Sequence, residues 1–200
     1  PSTIEKPVSD VLTYSLTTLV KWYDCDEHHV EHVVNLSIQL FKQLRVLHKF
    51  PRQYLKVLKV AATLHDCGMR IKYYNHQRHS WYMILNANLY GVSHREIVLA
   101  AFTACCHKKE DINPLDWARF KDILHEDDIE IVKRLGVMLR IAESLDRSMS
   151  GCIKGINCDI LGDSVIMKTE VEGDASLEIR DAMAAGAEFK KSFHKNLEIL

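Results

Sequence analysis

Residues 51–68 read PRQYLKVLKVAATLHDCG, and this stretch decides both the fold class and the chemistry. Pro51 suits the first turn of a helix, where its missing N–H has no partner to lose. Leu55, Leu58, Ala61 and Ala62 then recur on one face. His65 falls seven residues after Leu58, near the middle of that face, and Asp66 follows about 100° round, on its flank. Gly68 reads as the residue that stops the helix. An ionised carboxylate beside a core-facing imidazole is costly to bury unless it is paired or bound to a metal. Packing alone explains the dipeptide poorly.

Working outward, the flanking segments also read as helices. One runs from about Val8 to Tyr23. Asp24 followed by Glu27 fits a capping box, opening a helix to about Lys49 with Val30, Val33, Leu40, Leu44 and Leu47 as its apolar stripe. On that helix His29 lies about 70° from the stripe centre, whereas His32 and His28 lie farther round. His29 is therefore the histidine that can point inward. A short helix is expected over Gln77 to Asn88. Ser93 with Glu96 is a second capping box, opening a helix to about His107. Asn113-Pro114 starts a short one. A long helix from Glu126 to Met149 carries Val132, Leu135, Leu139 and Ala142 on a seam that continues onto Asp146, with Glu143 three residues before it.

The composition then shifts. Ile156 to Leu161 and Val165 to Val171 are rich in β-branched residues and are joined by Gly162-Asp163, a hairpin signal. Ala175 to Phe193 reads as helix, and Leu197 to Leu200 as a returning strand. The fold class is thus mainly α, with a helical bundle over 1–150 and a small α+β appendage (hairpin, helix, short strand) over 151–200.

The bulk numbers exclude several classes. The 200 residues are 47% apolar, enough for a sizeable core. Lys and Arg number 26 against 27 Asp and Glu, for a formal charge of −1. No global basic field points to DNA, so any anion site must be local. No apolar stretch is long enough to span a bilayer, and no signal peptide is legible. Six cysteines are scattered without a CxxC pair, which points to a reducing, cytoplasmic setting. The chain begins with Pro1, which suggests a piece of a longer protein with more sequence upstream.

The stretch LKVAATLHDCGMRIKYYNHQRHSWYMILNANLYGVSHREI, with HKKEDINP and LRIAESLDRS farther on, resembles the C-terminal HD-type domain of the exopolyphosphatase/guanosine pentaphosphate phosphohydrolase (Ppx/GppA) family. The resemblance covers most of residues 10–200. It implies an HD-domain-like bundle and a metal-dependent phosphohydrolase. His29, His65 and Asp66 match the HD ligands, with Asp66 also the catalytic carboxylate. His79 and His107 match positions that supply a second metal. The last ligand is Glu143 or Asp146: the superfamily usually has Asp where this chain has Glu143, and a buried ion pair with Arg140 or Arg147 is the competing reading of both acids. His76 and His94 are assigned surface or supporting roles.

One or two divalent ions per chain, Mn, Mg, Fe, Co or Ni, would lower the pKa of a bound water and orient phosphoryl oxygens. Arg70, Lys72, Arg78, Lys108 and Lys109 are the candidate phosphate contacts, with a solvated loop as the plainer reading of all but Arg78. Polyphosphate or a phosphorylated nucleotide is the implied ligand. The family places polyphosphate catalysis in upstream actin-like domains, whose Gly-rich loops this chain lacks. The alternative is therefore a non-catalytic polyphosphate-binding, regulatory or dimerisation module, with a homodimer and those upstream domains as partners.

Overall fold

A computed structural model describes residues 10–109 and 111–200. The expected helix start at Val8 lies outside them. Helix α1 spans Val11–Trp22, capped by Asp10, whose carboxylate accepts from the Leu12 and Thr13 N–H groups. Helix α2 spans Glu27–Gln43, and a short α3 follows at Arg45–His48. The capping residue of α2 is Asp26, accepting from His29 N–H. Asp24, expected in that role, sits instead in the left-handed region at φ 56° and turns the chain between the two helices.

Helix α4 spans Gln53–Leu64 and runs into a 3-10 turn at Cys67–Arg70. Gly68 does not stop α4 by adopting a positive φ. It lies against the first turn of α5 (His76–Leu85), where an added Cβ would overlap the His76 carbonyl and the Ser80 N–H. The Gly68 N–H donates to Ser80 Oγ at 2.9 Å. Close approach, not backbone handedness, is what this glycine supplies.

Helix α6 (His94–Cys105) opens with the Ser93/Glu96 capping box, and all of Val98–Cys105 is buried. A helix buried all round over its last two turns must be central there, and α4, α5 and α8 (Asp128–Ser144) surround it. Arg95 at its start holds the fully buried Asp128 of α8, with Nε 3.0 Å from Oδ2, and also donates to Tyr54 Oη of α4 at 3.2 Å. That fork supplies the partner a buried carboxylate requires. Between them, α7 (Pro114–Ala118) starts at Pro114 with Asn113 as its cap.

The C-terminal part is a three-stranded sheet, ordered β1 (Ile153–Leu161), β2 (Ser164–Val171), β3 (Asn196–Ile199). The hairpin pairs antiparallel, with Ile160 opposite Val165. β3 then runs parallel to β2, Val165 opposite Leu197, because two helices intervene. The expected single helix is broken into α9 (Ser176–Met183) and α10 (Gly186–Phe193). The break buries Ala182 and Ala185 against the core, while Glu178 of α9 turns inward to accept from Ser148 N–H at 3.0 Å. The free edge of β1 faces α2: the N–H groups of Ile156 and Cys158 donate to Gln39 Oε1 and Gln43 Oε1, at 2.8 and 3.3 Å. Among the described residues no helix is long and apolar enough to cross a membrane.

Candidate metal centre

Four histidines from four places in the chain converge on Asp66. His65 ends α4, and its Nδ1 lies 2.8 Å from the Ala62 carbonyl. His76 opens α5, with Nδ1 2.9 Å from the Tyr73 carbonyl. His107 follows α6, and its Nδ1 bonds the Ala104 carbonyl. Each ring thus folds back onto the carbonyl three residues before it. A carbonyl can only accept, so each Nδ1 carries the proton and each neutral ring keeps its lone pair on Nε2.

His29, in the first turn of α2, is fixed differently. Its Nδ1 lies 2.7 Å from Asp146 Oδ2, which frees Nε2 in the same way. Asp146 stands just past the end of α8. There the chain turns through Met149 at φ 57°, and Asp146 Oδ1 accepts from Gly151 N–H at 2.9 Å. The long helix therefore ends at Ser144, short of the expected Met149.

All four Nε2 atoms face the Asp66 carboxylate. Oδ1 is 3.6 Å from His65, 3.2 Å from His76 and 3.6 Å from His107, and Oδ2 is 3.9 Å from His29. Among the described residues two groups of potential metal donors result, His29/His65/Asp66 and Asp66/His76/His107, sharing the carboxylate. Asp66 is 14% exposed, and His65 and His107 are fully buried.

The electrostatics call for a cation. His76 Nε2 and His107 Nε2 lie 3.1 Å apart, two lone pairs facing each other once both Nδ1 atoms are protonated. Among the described residues, His65 Nε2 and Asp66 Oδ1 are buried with no hydrogen-bond partner, a costly condition without an ion. Burial works against the Asp66 charge, and only positive charge in its surroundings, on His65, His76 and His107 when protonated, holds the carboxyl well below its ordinary range; with those rings neutral, a bound cation would take that part. Burial also lowers His29, and the Asp146 bond with nearby carboxylates more than reverses this. His107 is pushed well below the usual imidazole value by burial and by His65. An imidazole kept neutral is an imidazole able to ligate.

The structure brings together His29, His65, Asp66, His107 and Asp146, and adds His76. The ring of His79 is in neither donor group. It shares a helix with His76, but α5 begins one residue earlier than expected, and its first residue is the one that turns to Asp66. Asn75, left-handed at φ 58°, sets that turn. The legible signal was the three-residue spacing of the two histidines, which does not say which of them faces in. Glu143 is buried and committed elsewhere: its Oε1 accepts from Lys108 Nζ at 2.7 Å and lies 3.5 Å from Arg147 Nη1. Arg140 pairs with Glu188 instead.

Of the basic candidates, Lys108 adjoins His107 and is half-buried. Arg70 and Lys72 are exposed on the loop after Asp66, with Arg70 3.2 Å from Asp24. Arg78 turns away, 2.7 Å from Asp116 and over the Trp81 ring.

A helical bundle that closes on shared imidazoles and one carboxylate is an HD-type domain. Residues 11–180 match the family described as Ppx/GppA phosphatase, domain III, and the chain belongs to that family. Similar proteins include the guanosine-5'-triphosphate,3'-diphosphate pyrophosphatase of Aeromonas salmonicida (strain A449), 32% identical over 75 residues. The protein of the same name from Aeromonas hydrophila subsp. hydrophila is 31% identical over 75 residues. In both cases the match covers 37% of this chain and 15% of the relative's length.

Proposed function

We propose that this chain is an HD-type, metal-dependent phosphohydrolase domain of a Ppx/GppA enzyme. Its bonds would be the phosphoanhydrides or phosphoesters of polyphosphate or of a nucleotide such as guanosine pentaphosphate. The observation that carries this reading is the set of four Nε2 lone pairs, each locked by its own Nδ1–H bond, around one buried carboxylate. A donor set dominated by nitrogen favours Mn, Fe, Co or Ni over Mg, which prefers oxygen. An ion bound there would supply Lewis-acid polarisation of a phosphoryl oxygen and acidify a water.

The chain's own residues do the rest. Asp66, shared by both donor groups, would hold the ion and orient the attacking water. Asp146 raises the electron density on His29 through their hydrogen bond. Lys108, steered by Glu143, is the cation placed to meet a phosphate oxygen beside His107, and Arg70 and Lys72 stand on the loop a substrate would pass.

A second reading is favoured by the burial of the cluster. Closed metal sites are typically structural, whereas catalytic ones keep an open position. In that case the domain is a polyphosphate-binding, regulatory or dimerisation module, with catalysis in upstream actin-like domains.

Elemental analysis of protein purified without chelator, with phosphate release from polyphosphate and guanosine pentaphosphate under Mn²⁺, Co²⁺ or Mg²⁺, separates the readings. Hydrolysis by the domain predicts bound metal and Mn- or Co-stimulated release that Asp66→Asn abolishes. Bound metal without release supports the module, and neither metal nor release rejects the metal centre altogether.

A further inference from the structure

A cavity of about 460 Å³, lined by none of the clustered histidines, lies where the loop after α6 meets α8 and α10. That volume is in the range of small-molecule sites. Lys108, Lys109, Lys133, Arg140 and Lys191 reach it from three separate stretches of sequence. Opposing them are Asp111, Glu130 and Glu188, with Glu143 on Lys108, which leaves a positive excess among the described residues.

The pairing within the cavity is uneven. Lys133 is held by Glu130 at 2.9 Å, Arg140 by Glu188 at 3.4 Å, and Lys108 by Glu143 at 2.7 Å. Lys109 and Lys191 are exposed, and among the described residues neither sits in an ion pair. Two uncommitted ammonium groups match a diphosphate. Cys106, Ile112 and Val137 line the same cavity and offer an apolar surface for a ring. A long polyanion fits poorly, because three carboxylates share the walls.

We propose that this cavity is a nucleoside diphosphate site, with Lys109 and Lys191 on the phosphates and the Cys106/Ile112/Val137 surface against the base. No histidine of the metal centre lines it, so the proposal does not rest on the phosphohydrolase reading. The two sites approach each other through Lys108, which lines the cavity while its ammonium holds Glu143.

Isothermal titration with ADP tests the site. Wild-type protein is expected to bind ADP saturably below millimolar concentration, and Asp66→Asn to bind it equally well. The double variant Lys109→Glu/Lys191→Glu removes two charge-assisted contacts and is expected to weaken binding at least about tenfold. Both lysines are exposed, so its thermal melt should match wild type; Lys191→Ala alone is expected to give an intermediate loss. Tripolyphosphate is expected to bind more weakly than ADP. Absence of saturable ADP binding, loss of binding in Asp66→Asn, undiminished binding in the double variant, or tripolyphosphate binding as tight as ADP would each overturn the proposal.

Discussion

The candidate metal centre has two halves that secure their imidazoles by different means. His65, His76 and His107 are backed by main-chain carbonyls three residues upstream, whereas His29 is backed by the carboxylate of Asp146, from a helix end 117 positions away. A carbonyl backing is local: it forms as soon as the turn forms and sets no carboxylate behind the ring. A carboxylate backing is tertiary and exists only once α2 and the end of α8 have packed. It also makes the ring a stronger base. The difference teaches which half mutation can reach, since a side chain can be replaced and a carbonyl cannot.

The two halves can be broken together or separately. Asp66→Asn should have the largest effect, because both donor groups use this carboxylate. Stoichiometric metal should be lost by elemental analysis, and with it the thermal stabilisation that metal gives wild type, about 2.7 kcal/mol at a hundredfold excess over Kd. A melt that responds to metal as wild type does would remove Asp66 from the centre.

Gly68→Ala should come next and strike the carbonyl-backed half. Its methyl would press on the start of α5, displacing His76 and costing about 1–3 kcal/mol in denaturant unfolding. Recovery of full metal content in that variant would show that His76 is not needed.

Asp146→Asn sharpens the contrast. The amide can keep a hydrogen bond to His29 but not its charge, so metal affinity should fall about 10- to 100-fold without a change of fold. An unchanged Kd by competition with a chelating dye would show that the carboxylate does nothing for the ion.

Smaller still is the expected effect of His79→Ala, whose ring is in neither donor group, and of His32→Ala. His32 Nε2 is 4.0 Å from Asp146 Oδ1, a distance too long for a hydrogen bond. Marked metal loss in either variant would mean that the ligand set has been drawn around the wrong rings.

Much of the bundle could be read from the chain because its signals are local. The Ser93/Glu96 box makes both of its hydrogen bonds, Asn113-Pro114 opens a helix, and Gly162-Asp163 makes a turn. The projection of α2 put His29 on the inner side, and there it lies. Signals that depend on distant partners were misread. Asp24 had the right spacing for a cap, but the chain uses Asp26. Gly68 was read as a helix stop, although its role is set by a helix that has not yet begun at that point in the chain. The break at Ala184–Ala185 has no proline, but Gly186 follows directly and the core receives Ala182 and Ala185. His76 and His79 share α5, and their spacing of three does not say which of them meets Asp66.

The glutamines of α2 have a consequence for life in a crowded solution. An outer strand with bare amide groups is a template on which another chain can lay a strand of its own. By spending two side-chain amides on Ile156 and Cys158, the helix that carries His29 also plugs that template. The first turn of α2 serves the histidine cluster, and its last turns keep the hairpin from recruiting neighbours.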